Sequence, residues 1–162
     1  KIIIRAGSIK DGRATQERGA NIMLDHASME IDPTGVIEIT GGKQATIDAS
    51  GVVTDGTIVS NVELFSSVNN KIKILGDLYD GSKIGFRIHG TVNQAITIAT
   101  IDQAVTQDAI TVASFFICDR NIHAVTGSGT TLTYGPKTVE QSYTAANYMA
   151  NSALFVPSWE DI

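Results

Sequence analysis

MEIDPTGVIEITGGKQATIDASGVVTDGTIVSNVELF, residues 29–65, contains one phrase twice. The first copy, IDPTGVI, begins at Ile31, and the second copy, IDASGVV, begins 16 residues later at Ile47. In each copy an apolar residue is followed by Asp, by a small turn that ends in Gly, and by a β-branched pair. Those residue types favour short strands that are joined by tight turns. The segment therefore predicts a β structure with an internal repeat.

The repeat predicts that each copy is one layer of a stacked β structure. Two copies cannot bury a core alone, whereas three chains around one axis would each supply a wall of the core and would remove the exposed edges. We expect residues 1–62 to form a β-repeat segment, either a solenoid or an intertwined trimeric prism. The residues expected on a shared apolar face are Val36, Ile37, Val52 and Val53. A β-hairpin of an ordinary sandwich remains the open alternative.

The composition extends the all-β prediction to the whole chain. Of the 162 residues, 18% are charged and 6% are aromatic, and the abundance of Ile, Val, Thr, Ser and Gly is typical of strands and turns. Strict alternation of apolar residues predicts about ten half-buried strands. The alternating sets are Ile37 and Ile39, Ile72 and Ile74, Ile84, Phe86 and Ile88, Ile96 and Ile98, Ile110 and Val112, and Leu132 and Tyr134.

We expect a boundary near residue 62. Residues 63–162 are predicted to form an antiparallel β-sandwich or β-barrel with a C-terminal docking tail. Turn-forming residues predict a hairpin tip at Asp80-Gly81 and a hairpin loop at 127–129. One short helix is expected near residues 138–149, where a capping-box pattern precedes an apolar face.

Several functional classes are disfavoured by the sequence. The net charge is −5 and the 12 Lys and Arg residues are scattered, which argues against nucleic-acid binding. Cys118 is the single cysteine, so no intrachain disulfide or cysteine metal cage is expected. The apolar runs are far shorter than the roughly 20 residues of a membrane span. The chain begins at Lys1 without an initiator Met or a signal peptide, so we expect the natural N-terminus to lie upstream.

The stretch ANIMLDHASMEIDPTGVIEITGGKQATIDASGVVTDG resembles the β-repeat regions of phage and phage-like tail proteins. That family includes spike or VgrG-like puncturing proteins, tail-tip proteins and central tail fibres, in which lines of the form Ile-Asp-x-Ser/Thr-Gly-Val/Ile between strands are frequent. The resemblance covers about residues 22–59. The iron-binding His-x-His of spike apices is absent, since His26, His89 and His123 stand alone. A fibre, collar or hub-adjacent piece is therefore implied rather than a membrane-piercing tip.

Candidate catalytic groups have simpler structural explanations. Cys118 and His123 lie five residues apart, but the thiol follows Phe115-Phe116-Ile117, where burial would raise its pKa and leave it inert. The acidic residues Asp77, Asp80 and Asp119 could supply a carboxylate pair for glycoside hydrolysis, yet each is expected first as a turn residue. No catalytic residue, metal site or cofactor is expected.

Two groups of residues are predicted to make contacts. Tyr79 and Asp80, beside the expected hairpin tip, are candidates for contact with a glycan, because an aromatic face stacks on sugars and a carboxylate bonds to hydroxyls. Tyr134 and Trp159 are further aromatic candidates for which a core or interface position is preferred. The C-terminal residues Leu154, Phe155, Val156 and Trp159 are expected to dock on the fold or on partner chains.

These observations lead to one functional prediction and two alternatives. The chain is expected to be a non-enzymatic structural and adhesive component of a phage or phage-like tail, located in the virion. It would be a homotrimer that assembles with other virion proteins and contacts a host-surface glycan. The alternatives are a carbohydrate-binding β-sandwich module and a small all-β glycan hydrolase.

Overall fold

The computed structural model describes residues 1–15, 19–65 and 71–138. Within those ranges the chain is rich in strands and has one short helix. No helix in the described ranges is both long enough and apolar enough to cross a membrane. The elements are β1 (Ile2–Ile4), β2 (Gly7–Lys10), β3 (Arg13–Ala14), β4 (Ile22–Leu24), β5 (Met29–Ile31), β6 (Ile37–Thr40), β7 (Lys43–Ile47), β8 (Val53–Val59), β9 (Val62–Leu64), β10 (Ile72–Ile74), β11 (Lys83–Ile88), β12 (Ile96–Ile101), α1 (Ala109–Ser114), β13 (Phe116–Cys118), β14 (His123–Ser128) and β15 (Thr131–Pro136).

The chain winds repeatedly through the same sheets, and we call each winding a rung. Rung 1 contains β1–β4, rung 2 contains β5–β9, rung 3 contains β10 and β11, and rung 4 contains β12, α1 and β13. Strands of successive rungs pair in parallel, so that each rung lies on the one before it. Parallel pairing needs a long connection between partner strands, and here the rest of each rung supplies it.

The first sheet stacks the opening strand of every rung, in the order β1, β5, β10, β12. Ile31 is in register with Ile4 on one side and with Ile74 on the other. Because successive side chains in a strand point to opposite faces, this column faces inward, and Ile31 and Ile74 are fully buried. The adjacent column faces outward and carries Glu30 and Lys73 in register.

The second sheet lies across the core from the first. β2 pairs with β6, and β6 pairs with the first half of β11. The second half of β11 pairs with β9, which in turn pairs with β4, while β13 pairs with the other edge of β11. Ile39, Ile84, Val62 and Phe86 are buried in the same core as the inward residues of the first sheet. Apolar residues from all four rungs therefore form one core.

A third sheet contains a hairpin that interrupts rung 2. β3 pairs in parallel with β7, and β7 forms an antiparallel hairpin with β8. At its tip, Asp48 Oδ1 accepts hydrogen bonds from the N–H groups of Ser50 and Val52, at 2.8 and 2.9 Å, as an Asx turn does. Rung 2 is consequently longer than rung 1: Ile2 pairs with Met29, 27 residues later, whereas Met29 pairs with Ile72, 43 residues later.

An antiparallel hairpin closes the C-terminal end of the first sheet. β15 pairs with β12, and β14 pairs with β15 at the sheet edge. Helix α1 packs against β14. A Cβ atom at Gly127 would lie 1.8 Å from the carbonyl oxygen of Ala109, so the close approach of helix and strand requires glycine.

Most of the alternating apolar sets that predicted strands do lie in strands. A hairpin does join β14 to β15, but of the predicted loop 127–129 only Gly129 lies in the turn, because Gly127 and Ser128 pair with β15. Ile110 and Val112 are the exception, because they lie in α1. There Asp108 caps the helix by accepting a 2.8 Å hydrogen bond from the Thr111 N–H, and a good cap offsets the low helix propensity of β-branched residues. The helix expected near residues 138–149 falls almost wholly outside the described residues.

Other expectations differ from the structure. In the first sheet the parallel strands that stack are 27 or 43 residues apart, not 16. The reason is that the first copy of the phrase begins at the last residue of β5 and the second at the last residue of β7, which lies in a different sheet. Of the four residues expected on one apolar face, Ile37 is buried, whereas Val36, Val52 and Val53 are about half exposed in the single chain. Asp80-Gly81 is not a hairpin tip, since it connects strands of two different sheets.

The predicted division near residue 62 falls inside β9, and both six-stranded sheets contain strands from each side of it. In place of an antiparallel sandwich or barrel, the described strands after that point pair in both senses. β10 and β11 pair only in parallel, and β12, β14 and β15 add the antiparallel part. The physical reason is that these strands extend sheets that rungs 1 and 2 have already begun.

Candidate functional site

A ladder of polar side chains joins the rungs at one corner of the stack. Asn21 in rung 1 donates through Nδ2 to Asn61 Oδ1 in rung 2, at 2.9 Å. Asn61 donates through its own Nδ2 to Asp119 Oδ1, directly after rung 4, at 2.7 Å. The Asn61 backbone N–H also donates to Asp119 Oδ2, at 2.6 Å. Side chains from three rungs are thus linked in one chain of hydrogen bonds.

The two asparagines occupy equivalent positions in their rungs. Each precedes the last strand of its rung, and each accepts a 2.8 Å hydrogen bond from a glycine N–H, Gly12 for Asn21 and Gly42 for Asn61. A Cβ atom on Gly85 would lie 2.2 Å from Asn61 Nδ2. Any other residue at this position of rung 3 would therefore clash with the Asn61 side chain. The local sequence is therefore fitted to the asparagine ladder.

Burial sets the acid–base behaviour of Asp119. Removal from water raises the pKa of this carboxyl, and this effect outweighs the hydrogen bonds from Asn61, which lower it. The folded protein then holds this proton more tightly than the unfolded chain does. The contribution of Asp119 to stability consequently falls as pH rises from the usual Asp range through the raised pKa.

Beside the ladder lies a buried group of charged residues. Glu63 is fully buried, and its carboxylate accepts from Ser60 Oγ at 3.1 Å and lies 3.1 Å from His89 Nδ1. Arg87, also buried, places Nε 3.4 Å from Glu63 Oε1, close enough for charge pairing but without the alignment of a hydrogen bond. Removal of one partner from a buried ion pair strongly destabilises a protein, because the other charge is left buried without compensation. The group joins the adjacent strands β9 and β11, and its Glu63 and Arg87 side chains are almost fully removed from solvent.

Two of the three predicted carboxylates, Asp77 and Asp119, are held by different partners. Asp77 accepts from the N–H groups of Thr106 and Gln107, at 2.6 and 3.0 Å, and from the Thr106 hydroxyl. The hydrogen bond from the Thr106 hydroxyl is the largest of the causes that lower the Asp77 pKa. Asp119 is held instead by Asn61. Each carboxylate therefore has a separate structural role.

Tyr79 and Asp80 lie on an exposed turn between the first and second sheets. The Ser82 N–H donates to the Tyr79 carbonyl at 3.0 Å, and Gly81 adopts a φ of +88°. The Tyr79 side chain is 49% exposed. The turn thus presents an aromatic ring to solvent, although it is a corner between sheets and not a hairpin tip.

Cys118 and His123 both line an open apolar cavity of about 560 Å³ near α1. Desolvation raises the pKa of the half-buried thiol to about 11, so the thiolate is scarce at neutral pH. His123 is buried, is stacked on Tyr134 with ring centroids 5.0 Å apart, and has Nε2 3.0 Å from the Val92 carbonyl. Both residues therefore contribute to packing, and Tyr134 is a core residue.

The remaining predicted contact residues cannot be placed. Leu154, Phe155, Val156 and Trp159 lie outside the described residues. In the described ranges, no group of three or more His, Cys, Asp or Glu side chains could hold a metal ion.

The sequence reasoning did not identify the asparagine ladder, although a signal for it exists. Asn21-Ile22-Met23-Leu24 and Asn61-Val62-Glu63-Leu64 share the pattern Asn, β-branched, any residue, Leu. Their spacing of 40 residues includes the inserted hairpin and differs from the 16-residue repeat of the phrase. The 16-residue phrase is the clearer repeat in the sequence, but the strands that pair are those of the Asn-containing pattern.

Comparison with protein-family models, curated proteins and solved structures finds no match to this chain.

We predict that Asn61 is essential to the stack. Asn61→Ala leaves the Gly42 N–H and one oxygen of the Asp119 carboxylate without their partner, at a cost of about 1–3 kcal/mol for each buried group. Asn61→Asp keeps the shape but places a second carboxylate beside Asp119, so its loss of stability should be larger at pH 7 than at pH 4. Denaturant unfolding at both pH values measures this, with Asn93→Asp at an exposed position as the control. An Asn61→Asp protein whose stability loss does not change with pH would contradict the ladder.

Proposed function

We propose that this protein is a structural and adhesive component of a phage or phage-like tail, either a fibre or a tail-tip piece, that acts as a homotrimer with other virion proteins. The proposal combines the resemblance of residues 22–59 to tail proteins with three features of the fold. These are the stacked rungs, the use of buried polar groups to join rungs, and an exposed apolar hairpin. In this function the stack would serve as a stiff spacer and not as a container for a reaction.

The exposed hairpin β7–β8 is the observation that carries the proposal. Ile47 and Val53 are cross-strand partners and are 55% and 51% exposed. Val52, Ile58 and Val59 on the same hairpin are also exposed. A small sheet in which the hairpin is supported only by the two-residue strand β3 is marginally stable on its own, and several exposed apolar side chains on one element favour an interaction site. Burial between three copies would satisfy both constraints.

The interface proposal is tested by the mass of the particle in solution. Val53→Asp puts a charge in the proposed contact and should convert a trimer to monomers, because an unpaired charge is costly to bury. Thr54→Asp is the matched control, since it adds the same charge to the adjacent position, whose side chain points to the opposite face of the hairpin. Sedimentation equilibrium should give three chain masses for the wild type and for Thr54→Asp. A monomeric wild-type protein would contradict the proposal.

Carbohydrate binding is a second candidate function, and the exposed Tyr79 ring favours it. Aromatic rings that are accessible on one face stack on sugars, and Asp80 beside the ring could accept hydrogen bonds from hydroxyl groups. In the tail protein this turn would make the contact with a host-surface glycan.

The glycan contact predicts a selective loss on mutation. A glycan array probed with the wild-type protein should show binding to a limited set of sugars. Tyr79→Ala should reduce that binding at least tenfold, because the stacking face is removed, while Tyr79→Phe should retain most of it. The melting temperature of both variants should stay close to that of the wild type, since the ring is not in the core. Equal binding by Tyr79→Ala and the wild type would rule out this turn as the contact.

A further inference from the structure

A cavity of about 480 Å³ lies beside the asparagine ladder, between the end of the β7–β8 hairpin and the turn that joins β13 to β14. Its lining consists of residues 57–59 of β8, Arg87 of β11 and residues 119–122 of the turn. Small-molecule sites commonly have volumes of about 300–1,000 Å³. This cavity is therefore large enough for a small ligand, and the side chains in its wall decide which chemistry fits.

Arg87 belongs to the wall because of the alternation of side chains along β11. Phe86 and Ile88 are in the core, so Arg87 between them points to the opposite face of the sheet. Arg87 is 3% exposed, and its Nε atom pairs with Glu63 at 3.4 Å but has no hydrogen-bond partner among the described residues. Nearly all buried N–H groups in native proteins have an acceptor. This guanidinium therefore has hydrogen-bonding capacity that the described residues do not use.

A second guanidinium, that of Arg120, lies in the same wall. Arg120 donates from Nη1 to the Gly90 carbonyl, which holds the side chain against the segment that follows β11. No described residue accepts a hydrogen bond from its other side-chain N–H groups. Guanidinium groups present planar pairs of N–H donors that match the two oxygens of a carboxylate. The unused donors of the wall thus favour an anionic acceptor.

The acids beside the cavity limit the charge of that acceptor. Both oxygens of Asp119 accept hydrogen bonds from Asn61, at 2.7 and 2.6 Å, so they are not free to take up the arginine donors. Burial also raises the pKa of this carboxyl. Glu63 already lies beside Arg87. Two carboxyl groups so close to the cavity repel a doubly charged ligand such as phosphate more strongly than a singly charged one.

The remaining wall is largely apolar. Ile58 and Val59 are exposed on the hairpin, and Ile122 is 66% exposed on the turn. An apolar group that enters the cavity would remove part of this surface from water, which is favourable. Apolar walls with a small number of polar groups that fix orientation are typical of small-molecule sites.

We propose that this cavity is a binding site for a small monocarboxylate with an apolar stem. The carboxylate accepts hydrogen bonds from Arg87 and Arg120, and the stem packs against the isoleucine and valine side chains of the wall. The same chemistry is present in a free aliphatic acid and in the C-terminal residue of a peptide. The site goes beyond the assembly function proposed above and does not depend on it.

Hexanoate is a suitable probe, because it combines one carboxylate with a short apolar stem. Titration of the isotope-labelled whole protein, followed by two-dimensional NMR, should show saturable shifts of the amide signals of residues 57–59 and 120–122. Hexanamide, which has the stem without the charge, should bind at least tenfold more weakly. Acetate, which has the charge without the stem, should also bind at least tenfold more weakly.

Variants of the protein test the role of Arg120. Arg120→Gln should weaken hexanoate binding at least tenfold, because it removes the charge and the paired donors. Arg120→Lys should bind with intermediate affinity, because it keeps the charge but not the planar donors. Arg5→Gln is the matched control, since Arg5 pairs with Asp32 and is not in the cavity wall. The NMR signals of residues far from the cavity report whether each variant is folded.

A further ligand distinguishes the two sources of the carboxylate. N-acetylleucine resembles the C-terminal residue of a peptide. Tighter binding of N-acetylleucine than of hexanoate would assign the site to a peptide terminus, and the reverse order would assign it to a free acid; both results support a carboxylate site.

The proposal is overturned by an absence of saturable shifts, by shifts that lie outside the cavity, or by equal affinity for hexanoate and hexanamide. These outcomes require only the wild-type protein, so they hold even where a variant does not fold. Equal affinity of the wild type and a folded Arg120→Gln protein would also overturn it. Hexanoate binding by a monomeric wild-type protein would support the site while contradicting the trimer.

Discussion

The contact between Asn61 and its neighbours in other rungs is the constraint on which the stack depends. A parallel strand can slip along its partner, and a slip of one residue would turn every inward Ile to the solvent. Asn61 opposes slippage because its amide has only one position in which it meets Asn21, the Gly42 N–H and Asp119 together. The apolar columns supply the driving force for burial, and the ladder selects the register in which burial occurs.

The same principle explains the outward face. Between rungs 1 and 2, oppositely charged outward side chains face each other, as Lys1 does with Glu30 at 3.0 Å and Arg5 with Asp32 at 3.1 Å. Such pairs favour the native register and disfavour one that would place like charges together. Individual exposed pairs contribute little to stability, so specificity is their main effect. Among the described residues the first sheet has unlike ends, because the β14–β15 hairpin covers β12 whereas β1 is an edge strand.

Period-two alternation was sufficient to predict most strands. A pair such as Ile72 and Ile74, or Leu132 and Tyr134, indicates a half-buried strand whichever strand lies beside it. The same alternation occurs in β11 and at Ile110 and Val112, so it could not show that the latter residues form the helix α1. The helix begins there because Asp108 caps it. Strand order was not accessible either. Parallel partners in the first sheet lie 27 or 43 residues apart, and an inserted hairpin makes the interval irregular, so the regular 16-residue phrase suggested the wrong layers.

The candidate site was less predictable than the fold. The ladder uses Asn21, Asn61 and Asp119, which are distant in sequence and individually look like turn residues. Their roles depend on which rungs meet at a corner, and that information lies in the topology. Tyr79 was expected beside a hairpin tip, and its ring is indeed exposed, but the turn that carries it connects strands of two different sheets. What Tyr79 and the residues of the hairpin β7–β8 contact remains a proposal.

Amide hydrogen exchange, measured residue by residue on the whole protein, tests the central claim that β2 and β6 stack in parallel in one register. In this register alternate amides of β2 donate to rung 2, and the Ser8 and Lys10 amides point away from it. The Gly7 and Asp11 amides, which donate to Val36 and Thr40 in rung 2, should exchange slowly, and the Gly42 amide, which donates to Asn61, should be slower still. The Ser8 and Lys10 amides should exchange at least tenfold faster than their neighbours, because exchange follows local opening and hydrogen bonding. Uniform protection along β2, or rapid exchange at Gly7, Asp11 and Gly42, would contradict the account.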